Sequence, residues 1–176
     1  MRKIGSGVLG LVVLLAVTLP ATARATESAA SIFKQLKSLL GEWDGKFADG
    51  RAHSVSYRLT ADGSVLVETW TLGPERESIT LYHLDGDQLV ATHYCPQGNQ
   101  PRLQWVPGGD PKTLSFAFRD GTHLQVPKGS HQHAFWIRLQ DEASYVRDET
   151  YVTNDSTPSE LAALVPGAGI VYRRRR

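Results

Sequence analysis

From His53 onward the hydrophobic positions of this chain recur at every second residue. His53, Val55, Tyr57 and Leu59 alternate with Ser54, Ser56, Arg58 and Thr60. The same period runs through 64–71, 78–84, 89–95, 102–106, 114–119, 131–139 and 144–152. Such alternation puts one set of side chains on a buried face and the other toward solvent, as in half-buried β-strands. Asp49-Gly50, Asp62-Gly63, Asp85-Gly86 and Asp120-Gly121 fall in the gaps, where aspartate–glycine favours tight hairpin turns. Short connections make successive strands pair antiparallel. A long meander must bury one face and hide two edges, and closing on itself does both. The expected fold is all-β, an antiparallel barrel of about 8–10 strands with one N-terminal helix.

The period before His53 is helical. Ile32, Leu36, Leu39 and Leu40 fall at helical spacing, Ser28 or Ser31 can cap the start, and Gly41 can end the helix. Gly41-Glu42-Trp43-Asp44-Gly45 then leads into the first strand. The glycine lets the chain turn sharply, and Trp43 is placed to plug the closed end of a barrel. Gly169 to Arg173 suits a closing strand. The stretch 156–169 is the least regular and is expected to be a loop or short helical turn.

The N-terminal residues add a compartment. Arg2 and Lys3 precede an apolar run, Val8 to Leu19, that is too short to span a bilayer comfortably. Ala21-Thr22-Ala23 and Ala23-Arg24-Ala25 both fit a cleavage site. A signal peptide over 1–25 and a single domain over 26–176 are therefore expected, with the mature protein exported to the periplasm or secreted. No later segment is long enough for a membrane span.

Of 19 basic residues, Arg2, Lys3 and Arg24 precede the mature chain and Arg173 to Arg176 form a terminal run, so the body is acidic against 18 Asp and Glu. That balance does not suit a nucleic-acid-binding face. Cys95 is the one cysteine, so no intramolecular disulfide forms and stability rests on the core. A lone thiol is either buried and inert or exposed and reactive; the buried reading is favoured because free cysteine is usually a core residue.

Leu36-x-x-Leu-x-Gly-x-Trp-x-Gly45 resembles the start of lipocalin-like (calycin) barrels. Two further blocks, Tyr82-His83-Leu84-Asp85-Gly86-Asp87 and Thr92-His93-Tyr94-Cys95-Pro96-Gln97-Gly98-Asn99-Gln100-Pro101-Arg102, are similar to the signature of an uncharacterised bacterial lipocalin-like family. His131-Gln132-His133 sits where that family often carries His-Met-His. The resemblance covers essentially all of the mature chain and implies a barrel with an internal ligand, but no catalytic residues. In lipocalins an arginine near the C-terminus stacks over the motif tryptophan, and Arg173 or Arg174 is similar in position. Gly41, Trp43, Gly45 and Arg173 are the structural set. The start is also similar to nitrobindin-like haem barrels, which carry their haem-binding histidine close to the C-terminus. Here the last histidine is His133, and no cofactor is expected.

The candidate chemistry gathers around His93. Leu89, Ala91, His93 and Cys95 share one face of their strand, and small Ala91 leaves room for a ligand if that face points inward. The polar loop Pro96 to Pro101 follows. Asn99 and Gln100 either meet a ligand or satisfy neighbouring backbone. An inward Arg102 at the barrel mouth would suit a carboxylate or phosphate; otherwise it pairs with an interior acid. Glu68, between Leu66 and Trp70 on one face, is the partner in view, since a buried glutamate must be paired or protonated. His131 and His133 share a face at a spacing that suits two zinc ligands, with His93 a third, but no nearby acid completes a set. No metal is expected. Trp70, Trp105 and Trp136 are expected to fill the core.

No Gly-x-Ser-x-Gly elbow, phosphate-binding loop, His-Glu-x-x-His or dinucleotide fingerprint occurs. Three readings remain open. The first is a barrel binding a small, partly apolar ligand, anionic if Arg102 faces it. The second is an enzyme in the same cavity, with His93 as acid–base. The third is a filled barrel acting by structure or interaction.

Overall fold

The computed structural model describes residues 27–108, 110–125, 129–153, 155–157 and 167–176. The expected signal peptide and most of the irregular 156–169 stretch lie outside them.

Among the described residues, one α-helix, α1 (Ala29–Leu36), precedes ten strands. They are β1 (Gly41–Lys46), β2 (Ala52–Thr60), β3 (Val65–Gly73), β4 (Arg76–Asp85) and β5 (Gln88–Tyr94). There follow β6 (Gln100–Val106), β7 (Thr113–Thr122), β8 (Ser130–Leu139), β9 (Ser144–Thr153) and β10 (Ile170–Arg174). Each strand pairs antiparallel with its neighbours in sequence, and β1 pairs with β10 to close the barrel. Closure rests on a short register, Trp43 opposite Arg174 and Asp44 opposite Arg173.

Ser28 caps α1 by accepting from the Ser31 amide at 3.2 Å. The apolar positions Ile32, Phe33 and Leu36 are buried. The helix ends earlier than Gly41, in a 3-10 turn over Lys37–Leu39. Gly41 opens β1 with φ +118°, a conformation that favours glycine. Lys37 Nζ donates to the Gly63 carbonyl at 2.9 Å, which ties the helix to the β2–β3 end of the barrel.

Trp43 is 1% exposed and donates from Nε1 to the Leu39 carbonyl at 2.7 Å. The cation over its ring is Arg174, 4.2 Å from the centroid. Of the two C-terminal arginines open to that role, the structure selects Arg174; Arg173 is exposed on the outer face of β10. Adjacent residues of a strand face opposite sides, so only one of them can cover Trp43.

Three of the aspartate–glycine pairs lie at turns. Gly50, Gly63 and Gly86 all have positive φ. The fourth differs. Asp120 and Gly121 lie inside β7, opposite Arg102 and Pro101. A Cβ on Gly121 would stand 2.9 Å from the Gln100 carbonyl oxygen, so this glycine serves a close approach between strands.

Candidate functional site

Inward parity brings a polar cluster into the barrel's aromatic interior. Glu68 on β3 is 0% exposed and Arg147 on β9 is 2% exposed. Arg147 Nη1 donates to Glu68 Oε2 at 2.8 Å. Trp70 Nε1 donates to Glu68 Oε1 at 2.5 Å, and the Tyr82 hydroxyl donates to Oε2 at 2.6 Å. The guanidinium also lies over Phe135 at 4.4 Å and Trp70 at 5.0 Å from the ring centroids. Glu68 thus has the partner a buried carboxylate requires, but that partner is Arg147, not Arg102.

Above this cluster, at the end opposite α1, lies a cavity of about 300 Å³. Its wall includes Phe47, Trp70, His93, Cys95, Glu149 and Tyr151. β9 supplies both Arg147 and Glu149 because alternate residues share a face. Glu149 Oε2 accepts from Gln132 Nε2 at 2.6 Å and lies 3.6 Å from Arg147 Nη2. Burial pushes the Glu149 carboxyl above its usual range, against the pull of Arg147. Its side chain retains 27% exposure through the cavity it lines.

His93 is 3% exposed. Its Nδ1 lies 3.0 Å from the Thr80 hydroxyl, and its Nε2 lies 3.3 Å from the Tyr151 hydroxyl. Burial, then the nearby Arg147 cation, lowers its pKa to about 4. The ring is neutral at ordinary pH, with both nitrogens held by hydroxyls. Cys95, 8% exposed, lines the same cavity.

The remaining sequence candidates are elsewhere. Arg102 is a correction: its side chain is 51% exposed and forks onto Asp120, from Nε at 2.5 Å and Nη2 at 2.7 Å. A register shift between Arg102 and Leu103 accompanies this; Pro101 and Leu103 are buried while Arg102 stands outside. Paired with Asp120 in solvent, Arg102 offers no cation to an anionic ligand inside the barrel. Asn99 is 1% exposed and donates to the Ser130 carbonyl at 2.7 Å. Gln100 donates to the Gly98 carbonyl and accepts from Thr122. Both amides hold the rim. His131 and His133 gather about Phe118, with ring centroids 4.7 Å and 5.5 Å from it, and a bulge between Gln132 and Ala134 interrupts their strand's register. Among the described residues, no three His, Cys, Asp or Glu side chains are grouped to hold a metal ion.

Sequence reasoning missed Arg147, Glu149 and Tyr151. The signal was present in the alternation Tyr145, Arg147, Glu149, Tyr151. It places two charges on a face whose first member, Tyr145, is fully buried.

The described residues thus form a closed ten-stranded antiparallel barrel with one short helix and, at one end, a cavity lined by aromatic and polar side chains. No protein-family model matches it, and no curated protein matches it in sequence. Among solved structures it is similar to the crystal structure of Rv2717c from M. tuberculosis, with 16% identity, a TM-score of 0.45, and coverage of 82% of this chain and 97% of that chain.

Proposed function

We propose that this is an exported lipocalin-like barrel that binds a small, partly apolar molecule in the cavity walled by Trp70, His93 and Glu149. The observation that carries the reading is an aromatic-lined cavity with a few convergent polar groups, the usual make-up of a small-molecule site. The interior below it is filled. Trp43, Tyr82, Tyr145, Tyr172, Phe116 and Phe135 are all less than 2% exposed. Within the barrel a ligand therefore has room at the open end, where the cavity measures about 300 Å³.

Native mass spectrometry of protein purified from its own host tests this reading. A retained small molecule, lost in a Trp70→Ala, His93→Ala double variant that still folds, is the expected result. A clean apo mass, with no binding by a library of small aromatic and aliphatic compounds, would leave the filled-barrel reading. Export rests on the N-terminal charge and apolar run. N-terminal sequencing of the mature protein should begin near Arg24 or Thr26, whereas full-length chain in the membrane fraction would overturn it. No helix among the described residues is long and apolar enough to cross a membrane.

A further inference from the structure

Two carboxylates share one guanidinium inside the barrel. Glu68 takes the short contact from Arg147, 2.8 Å against 3.6 Å for Glu149. It also receives Trp70 and Tyr82, so its charge is matched and its oxygens are satisfied. Glu149 is left with Gln132 and the long contact, both on Oε2. No described protein group donates to its Oε1. The ionised cluster thus carries one negative charge in excess, on the carboxylate that lines the cavity.

The other cavity groups fit that charge. Phe47, Trp70 and Tyr151 supply aromatic surface, which attracts cations through the ring quadrupole. His93 is neutral. Arg76 is the cation among the lining residues, and it is exposed, where solvent and salt screen it.

We propose that the cavity selects a small primary amine with an aromatic or apolar body, its ammonium received by Glu149 Oε1 against the aromatic wall. This rests on the cavity being a ligand site. An ammonium supplies both the positive charge and the donor that the cluster lacks, as a charge-assisted hydrogen bond. A carboxylate ligand would add a second uncompensated negative charge beside Glu149, and burying an unpaired charge is costly. A neutral alcohol could donate but leaves the charge unmatched.

Calorimetric titration at low ionic strength with benzylammonium, benzyl alcohol and benzoate tests the proposal. Benzylammonium should bind about tenfold or more tighter than benzyl alcohol, the scale of a hydrogen bond to a charged partner. Benzoate should bind weakest. Glu149→Gln should erase the advantage of the amine over benzyl alcohol, with the fold verified by its melting temperature. Benzyl alcohol or benzoate binding as tightly as the amine would overturn the charge preference and leave the cavity a ligand site. An amine preference that survives Glu149→Gln would overturn the role of Glu149. Silence from all three probes would overturn the ligand reading itself.

Discussion

Arg147 lies within the barrel with its Nη1 on Glu68 and its plane against Phe135 and Trp70. A guanidinium so buried persists only because a carboxylate and two rings replace its water. The two acids beside it are therefore unequal. Glu68→Gln removes the short partner of a buried cation and should destabilise by about 3–5 kcal/mol, less whatever Glu149 recovers by moving closer. Glu149→Gln removes the surplus charge and leaves a one-to-one pair, so it should be neutral or stabilising. Urea midpoints of the two variants check this; equal losses would mean that Glu149, too, is an essential counter-ion. Arg102, by contrast, pairs with Asp120 in solvent, and Arg102→Lys should leave both stability and ligand binding unchanged. Cys95 reports on occupancy, because it lines the cavity at 8% exposure. A bulky thiol reagent should modify it more slowly once a ligand is bound, and equal rates would place the ligand elsewhere.

At the scale of elements, the closed end depends on how β1 meets α1 and β10. Trp43 donates to the turn after the helix, meets Tyr145 edge-on at 4.8 Å and lies under Arg174. Trp43→Ala should cost about 3–5 kcal/mol, the usual loss for a large buried aromatic. A change within about 0.5 kcal/mol would be that of an unconstrained surface site. One strand turn further, a Cβ on Gly45 would stand 2.6 Å from the Tyr172 ring. Gly45→Ala should therefore destabilise by about 1–3 kcal/mol through overpacking, measurable by denaturant titration. These elements were legible in the sequence because period two, aspartate–glycine turns and the Gly-x-Trp start are local signals. Arg102 was misread against a signal already in the sequence: Pro101, Leu103 and Trp105 take the inward face of β6, so Arg102 between them faces out. The Glu68–Arg147 pair was half legible. Glu68 visibly needed a partner, but the two residues lie 79 apart, and only closure of the sheet decides which arginine arrives.

At the scale of the whole molecule, filling one end and hollowing the other divides the barrel into a rigid base and a polar mouth. The mouth makes stability depend on pH. Burial lowers the pKa values of His53, His93 and His133, and His93 moves furthest, from 6.5 to about 4. Between those values the unfolded chain binds a proton at His93 that the folded chain does not. Stability contributed by the neutral ring is then fully present above about pH 6.5 and falls away as pH drops toward about 4. At 1.36 kcal/mol per unit, the full loss from His93 is about 3 kcal/mol. Glu149 acts with the opposite sign. Its raised pKa favours protonation in the folded state, so its contribution weakens as pH rises through that pKa. The net slope is separable by substitution. Urea unfolding of Glu149→Gln and of the Glu149→Gln, His93→Gln double variant across pH 4.5 to 7 should show a steep acid-side loss in the first and a shallower one in the second. The difference should shrink as pH falls, because the protein that keeps His93 gains a proton there only when unfolded. Identical slopes would mean that His93 is hydrated in the folded barrel, and that the cavity is wider or wetter than its aromatic wall implies.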